Sequence, residues 1–333
     1  MRIVIAGQYA LSISVAAALL TGCGGYQSPI AGPGTTSLVT TGKKVQPASG
    51  SQHALIYAYE RSALIYDYEL GKMIDQFQVQ PSMTADGICS DAKGDVFFTG
   101  NVSETTYISR YPYGSTLASG TVSFQHGTPT PGGCSVDDAS GNVATVATGW
   151  LPSPFDLVVF PDFQEPPIEY NYIHGSDVLM SVAYDGSGDL FLLGISTTSS
   201  DYYLAELLKG KTEFMPISVG LSLDRPYAIQ WDGKYLAVTA LDGTGSTHWI
   251  YRLKVSGSQA TLVGIVKPAG FTEPRWRDRT WIQPNVGIMI AGKSTGNIGV
   301  WKYPRGGRQI HRFITNMFMP TVTVAAPGGN AYR

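Results

Sequence analysis

The chain has 333 residues, with 23 basic and 25 acidic side chains and a formal net charge of −2. Charged residues make up 14% of it, against roughly 25% in an average soluble domain, while 43% is hydrophobic. That balance excludes a disordered polyelectrolyte and removes the global field that would draw the molecule to nucleic acid. Glycine (39) and proline (20) are abundant, which favours short strands joined by tight turns over long helices.

From the N-terminus, Met1-Arg2 gives a positive start, and Ala10 to Leu20 is an apolar run of signal-peptide length. The run ends in Leu20-Thr21-Gly22-Cys23, followed by Gly24-Gly25. This segment resembles the bacterial lipobox, in which small residues ahead of a cysteine admit a lipoprotein signal peptidase. The resemblance implies that residues 1–22 are a cleaved signal peptide and that Cys23 carries the lipid. Each buried methylene adds ~0.8 kcal/mol, so two or three acyl chains anchor stably where one does not. A plain membrane-spanning helix over Ile3 to Leu20 is the competing reading, but Gly7, Gln8, Tyr9 and Ser12 interrupt it. The expected address is the bacterial cell envelope. Gly24 stands where an aspartate would signal inner-membrane retention, which favours the outer membrane in a Gram-negative cell. Residues 23–52 lack hydrophobic periodicity and read as a flexible tether with a span on the order of 30 Å.

Beyond the tether a unit of strand, Asp/Gly turn and strand recurs. Copies begin at Gly87, Gly133, Ser181, Tyr227 and, in degenerate form, Thr280. Lys93-Gly94-Asp95, Ser140-Gly141-Asn142 and Ser187-Gly188-Asp189 supply the positive-φ positions of tight hairpins. Further apolar strands follow each copy, at Tyr107–Gly114, Asp156–Phe160, Tyr203–Gly210, Trp249–Val255 and Asn297–Pro304. Four strands per repeat is the signature of a β-propeller blade. Residues 54–79 read as the outer strands of a blade, and residues 319–327 as an inner strand that completes it. The expected fold class is therefore all-β, a β-propeller over residues 53–333. It has six four-stranded blades, closed by pairing of the N- and C-terminal strands; five or seven blades are also compatible. A β-sandwich would leave the regular period unexplained.

The glycine and aspartate pattern resembles NHL-repeat and related six-bladed propellers over most of residues 54–333. The resemblance implies fold and not activity, because propellers host enzymes, binders and scaffolds alike. With Cys23 lipidated, Cys89 and Cys134 are left. Aligning Gly94 with Gly141 maps Cys89 onto Val136, and Cys134 lies two residues earlier on the same strand face. Neighbouring inner strands run side by side, so a Cys89–Cys134 disulfide is expected, with two buried thiols as the alternative.

Catalytic chemistry is hard to find in the pattern. The histidines (His53, His126, His174, His248, His311) are scattered, no pair of residues has zinc spacing, and no cofactor motif is present. His126 and His174 fall in Gly/Pro loops expected near the channel entrance. Gluconolactonase-like propellers hold a divalent cation at the channel with Glu, Asn and Asp from different blades. Asp86 and Asp177 are the nearest acidic candidates here, too few for calcium. Charge is less even. Residues 1–266 carry 13 basic and 23 acidic side chains, net −10, whereas residues 267–333 carry 10 and 2, net +8. Arg275, Arg277 and Arg279 alternate with Trp276, Asp278 and Thr280, which in an extended segment puts the three guanidinium groups on one side. The expectation is a monomeric, lipid-anchored, non-enzymatic binding or scaffold module. Its partner would be the membrane through Cys23 and an anionic glycan, a lipid headgroup or an envelope protein through Arg275, Trp276, Arg277 and Arg279. The alternatives are a metal-dependent hydrolase or lactonase, and a basic sector that merely balances its acidic neighbours.

Overall fold

The computed structural model describes residues 54–60, 62–125, 130–148, 157–170, 177–196, 199–245, 247–271, 280–293, 296–317 and 320–327. The side chains of 84–86, 130–132, 147–148 and 177 are outside that description. The leader, Cys23, the tether, Arg61, His53, His126, His174 and the Arg275–Arg279 segment lie outside the described residues, as do the side chains of Asp86 and Asp177.

Strands β1 (Leu55–Tyr59), β2 (Ala63–Asp67) and β3 (Lys72–Phe77) form one sheet with β24 (Thr321–Ala325), in the order β24-β1-β2-β3. A second sheet is the meander β4 (Thr84–Ser90), β5 (Val96–Val102), β6 (Thr105–Tyr111) and β7 (Gly120–Gln125). A third comprises β8 (Thr130–Val136), β9 (Val143–Thr148), β10 (Leu157–Phe160) and β11 (Ile168–Tyr170). Two further meanders follow. One is β12 (Asp177–Tyr184), β13 (Leu190–Ser196), β14 (Tyr202–Leu207) and β15 (Phe214–Val219). The other is β16 (Asp224–Trp231), β17 (Leu236–Leu241), β18 (His248–Ser256) and β19 (Gln259–Val266). Their outer strands touch in parallel, Ser218 opposite Gln259 and Val219 opposite Ala260, so the two meanders run on as one eight-stranded sheet. The last sheet is β20 (Thr280–Gln283), β21 (Ile288–Gly292), β22 (Asn297–Lys302) and β23 (Gly306–Ile314). The protein is all-β, and the sheets are arranged as in a β-propeller.

Burial explains why these segments form strands. β1, β2, β21 and β24 are buried at every position, because both of their faces pack against other sheets. The outermost strands β3 and β23 are mostly exposed or half-buried. Separate apolar clusters fill the spaces between successive sheets. One joins β1 and β2 to β4 and β5 through Tyr57, Tyr59, Ile88 and Phe98. Another joins Ile290, Val300 and Phe313 of the last sheet to Ile56, Tyr66 and Val324 of the first. The sequence expectation of a sheet shared by both chain ends is met by the antiparallel pairing of β1 with β24, Leu55 opposite Ala325 through Tyr59 opposite Thr321.

The inner strands β4, β8, β12, β16, β20 and β24 are sheet edges, and their backbone groups need partners from outside their own ladders. Side chains of neighbouring sheets supply several. Ser90 Oγ donates to the Val324 carbonyl at 2.8 Å, and the Tyr184 amide donates to Ser135 Oγ at 2.9 Å. The Ile229 amide donates to Ser181 Oγ at 3.1 Å. Gln230 takes the Ile282 amide at 2.7 Å and donates to its carbonyl at 2.6 Å. Between β4 and β8 the link is covalent: Cys89 and Cys134 form the expected disulfide, with a Cα–Cα separation of 5.6 Å.

Candidate functional site

Three regions carry enough polarity to merit chemical scrutiny: the inner hairpin turns, the channel, and the sheet β20–β23. The turns come from the motif that organises the repeat. In the first, Asp91 Oδ1 accepts from the Lys93 and Asp95 amides at 3.0 and 2.8 Å, while Gly94 sits at φ +83°. Asp185 repeats the arrangement, accepting from the Ser187 and Asp189 amides at 2.7 and 3.0 Å, with Gly188 at φ +88°. A side chain is excluded at Gly94 for a second reason, since a Cβ there would stand 3.0 Å from Pro327 and Tyr113.

In the first and third turns the second acidic position reaches the third strand or the residues just after it. Asp95 Oδ2 accepts from Arg110 Nε and Nη2 at 2.9 and 2.6 Å. Asp189 Oδ1 accepts the Lys209 amide at 2.7 Å. In the fourth turn, Asp232-Gly233-Lys234-Tyr235, one carboxylate fills both roles. Its Oδ1 takes the Lys234 and Tyr235 amides, and its Oδ2 takes Arg252 Nε at 2.6 Å and the Tyr303 hydroxyl at 2.5 Å. Burial and the neighbouring Asp232 carboxylate push the Tyr303 phenol far above its ordinary range, so it serves as a fixed donor. Asp232 is buried and Arg252 lies 4.8 Å from the Tyr235 ring centroid, so the group is a closed structural network. The aspartates behind the NHL-like resemblance thus hold hairpins together. Sequence reading found the turns but missed their cross-links to Arg110, Arg252 and Tyr303, because such links depend on which strand lies beside the turn.

Between the first two turns lies a cleft of ≈ 290 Å³ lined by Asp91, Ala92, Lys93, Val136, Asp137, Asp138 and Gly141. Burial and the adjacent Asp95 carboxylate push the Asp91 carboxyl up to about 6. Burial likewise raises Asp138, whose Oδ1 accepts the Ala92 amide at 2.7 Å and so ties the two turns together. Asp137 Oδ1 accepts the Ala139 amide and its Oδ2 accepts the Ser140 hydroxyl. These carboxylates are already engaged by the fold. Among the described residues no group of three or more His, Cys, Asp or Glu is placed to hold a metal ion.

A small cavity lies between the inner strands. It is ≈ 40 Å³ and is lined among others by Ser135, Gln230, Thr239, Thr280 and Trp281. No carboxylate or histidine is among the described lining residues. Trp281 packs against the apolar cluster of the first and last sheets and also against that of β4–β10, so its indole joins two clusters. Its Nε1 donates to Gln283 Oε1 at 2.9 Å. A cavity of that size holds about one water, far below the ~300 Å³ of a small-ligand pocket.

The sheet β20–β23 differs in charge from the other sheets. Residues 280–327 contain Lys293, Lys302, Arg305, Arg308 and Arg312, and no Asp or Glu. Lys302, Arg305, Arg308 and Arg312 are exposed. Lys293 is half-buried and donates to the Gly270 carbonyl at 3.2 Å and to Gln309 Oε1 at 3.0 Å; burial first, and then Arg312, hold its pKa below the ordinary lysine range. Among the described residues, ion pairs join Arg110 to Asp95, Lys209 to Asp137, Arg225 to Asp224 and Arg252 to Asp232, all outside this sheet. The arginines singled out in the sequence, Arg275, Arg277 and Arg279, immediately precede β20 in the chain.

No protein-family model matches the chain, and no curated protein matches it. Solved structures do. One is the crystal structure, at 1.35 Å resolution, of a protein of unknown function from Bacteroides caccae. It is 11% identical, with a TM-score of 0.57 over 83% of this chain and 99% of that chain. At that identity the likeness speaks for the fold alone.

Proposed function

We propose that the protein is a lipid-anchored cell-envelope β-propeller that binds an anionic partner through its basic C-terminal sector and is not an enzyme. The observation that carries this reading is the charge of the last sheet, whose five cations stand against no carboxylate of their own. Isolated surface charges are usually interspersed with their opposites, and a one-sign field marks a surface that meets the other sign. Arg forks suit carboxylate and phosphate oxygens, which makes an anionic glycan, a lipid headgroup or an acidic envelope protein the fitting class. Arg275, Arg277 and Arg279, with Trp276 between them, extend the basic run in sequence.

In this reading the ring has six blades, the eight-stranded sheet counting as two, and the β1–β24 pairing closes it. The separate apolar clusters between sheets and the links between inner strands support that count. Removing residues 319–333 would then open the ring, and a markedly lower melting temperature is expected. Unchanged melting would refute closure.

Retention on an immobilised anionic polysaccharide tests the binding reading. The Arg275→Gln/Arg277→Gln/Arg279→Gln variant is expected to elute at lower salt than the parent. Equal elution, insensitive to salt, would overturn it. Mass spectrometry of protein from a bacterial envelope tests the anchor, with a diacylated Cys23 at the N-terminus as the expected result and an unprocessed Met1 as the contrary one.

A further inference from the structure

Resting on the proposed anionic-partner reading, we infer that the partner of the sheet β20–β23 is an anionic lipid surface, on which this blade lies with its outer strand against the headgroups. Lys302 and Arg305 stand at one end of β23, Arg308 along it and Arg312 toward the other end. Nine strand residues at about 3.3 Å each make a strip of roughly 30 Å. An outer strand of that length can meet a plane along such a strip.

Charge alone would suit a soluble polyanion as well, and the apolar side chains decide between them. Among the described residues the three most exposed large hydrophobic side chains are Ile314 at 66%, Leu70 at 58% and Met73 at 54%. Ile314 is on β23, and Leu70 and Met73 are on the hairpin of the sheet that packs beside it. Ile314 ends β23 and lies on the same strand face as Arg312, two residues away. Leu70 and Met73 flank the β2–β3 turn of the adjoining sheet. That hairpin meets β23 through the opposite face, where the Tyr68 ring lies 5.3 Å from the His311 ring and Tyr66 donates to the Ile314 carbonyl at 2.9 Å, so the aliphatic groups border the outer strand from both of its faces. The hairpin itself carries Glu69, Lys72 and the half-buried Asp75, so the positive charge of the contact comes from β22 and β23. Cations interleaved with exposed aliphatic side chains are the composition of an interfacial membrane contact, because the aliphatic groups gain only where there is hydrocarbon to enter. A hydrated polysaccharide offers them nothing comparable. The contact would also give the single lipid-modified terminus a second point of attachment.

The test uses the full chain and vesicles of phosphatidylcholine, alone or mixed with phosphatidylglycerol. The apolar leader is common to all variants, so the ratio of binding to anionic over neutral vesicles isolates the blade. Lys302→Gln/Arg305→Gln/Arg308→Gln/Arg312→Gln is expected to lower that ratio at least about tenfold. Lys93→Gln/Lys211→Gln/Lys234→Gln/Lys254→Gln, with the same charge change elsewhere, is expected to leave it nearly unchanged. Ile314→Ser/Leu70→Ser/Met73→Ser is expected to weaken vesicle binding and not retention on an anionic polysaccharide. Equal losses from the two charge variants would overturn the inference. So would loss of polysaccharide retention with vesicle binding intact, a result that would leave the broader anionic-partner reading standing. Indifference of the parent to both surfaces would overturn the two together.

Discussion

The hairpin turns of β4–β5 and β16–β17 and the outer strand β23 are all charged, yet they treat charge in opposite ways. In the turns each carboxylate is spoken for: Asp95 by Arg110, Asp232 by Arg252 and Tyr303, Asp91 by the amides it closes. Along β23 and the turn before it the cations point to water, with no carboxylate in residues 280–327 to answer them. Charges that are buried and paired set the geometry of the fold, and removing one partner strands the other. Charges that are exposed and alone contribute little to stability and are free to meet something else. The contrast separates residues that hold the propeller from residues that can work for it.

The sharpest break is expected at Asp232. Asp232→Ala leaves Arg252 and the Tyr303 hydroxyl without their acceptor and should cost about 3–5 kcal/mol in denaturant unfolding. A loss within experimental error would mean that the network is not structural. Replacing both cysteines, Cys89→Ser/Cys134→Ser, should cost about 2–4 kcal/mol, since the bridge spans 45 residues of sequence. Reduced parent protein should match that variant in melting temperature; a mismatch would place the effect in the serines rather than in the lost bridge.

A smaller effect is expected from pH. The folded Asp91 carboxyl, pushed up from 3.8 to about 6, holds its proton more tightly than the unfolded one. Its contribution therefore favours the folded state at low pH and fades as pH rises through about 6. Relative to Asp91→Asn, which keeps the Oδ1 acceptor but does not titrate, the parent should lose about 1 kcal/mol between pH 5 and 7. Parallel stability curves for the two proteins would contradict this. Smallest of all, Lys302→Gln/Arg305→Gln/Arg308→Gln/Arg312→Gln should change unfolding by less than about 0.5 kcal/mol. A large loss would move β23 into the same class as the turns.

Local pattern made much of this legible in advance. The Asp/Gly hairpins, the strand runs between them and the completion of the first sheet by residues near the C-terminus could all be read from periodicity, because glycine at positive φ and runs of β-branched residues act over a few positions. The Cys89–Cys134 bridge followed from register between repeats, since aligned turns place equivalent inner strands side by side. The basic sector was visible as bare composition.

What could not be read was set by neighbours distant in the chain. Gln230 holding the Ile282 backbone, Tyr303 donating to Asp232 and Trp281 joining two apolar clusters each involve residues 50 or more apart or two separate clusters. The parallel touch of β15 on β19 has no sequence signal at all. Nor could composition tell an answered charge from a lone one. Arg252 and Arg312 look alike in a string of letters, and packing alone puts a carboxylate 2.6 Å from the first and leaves the second facing water.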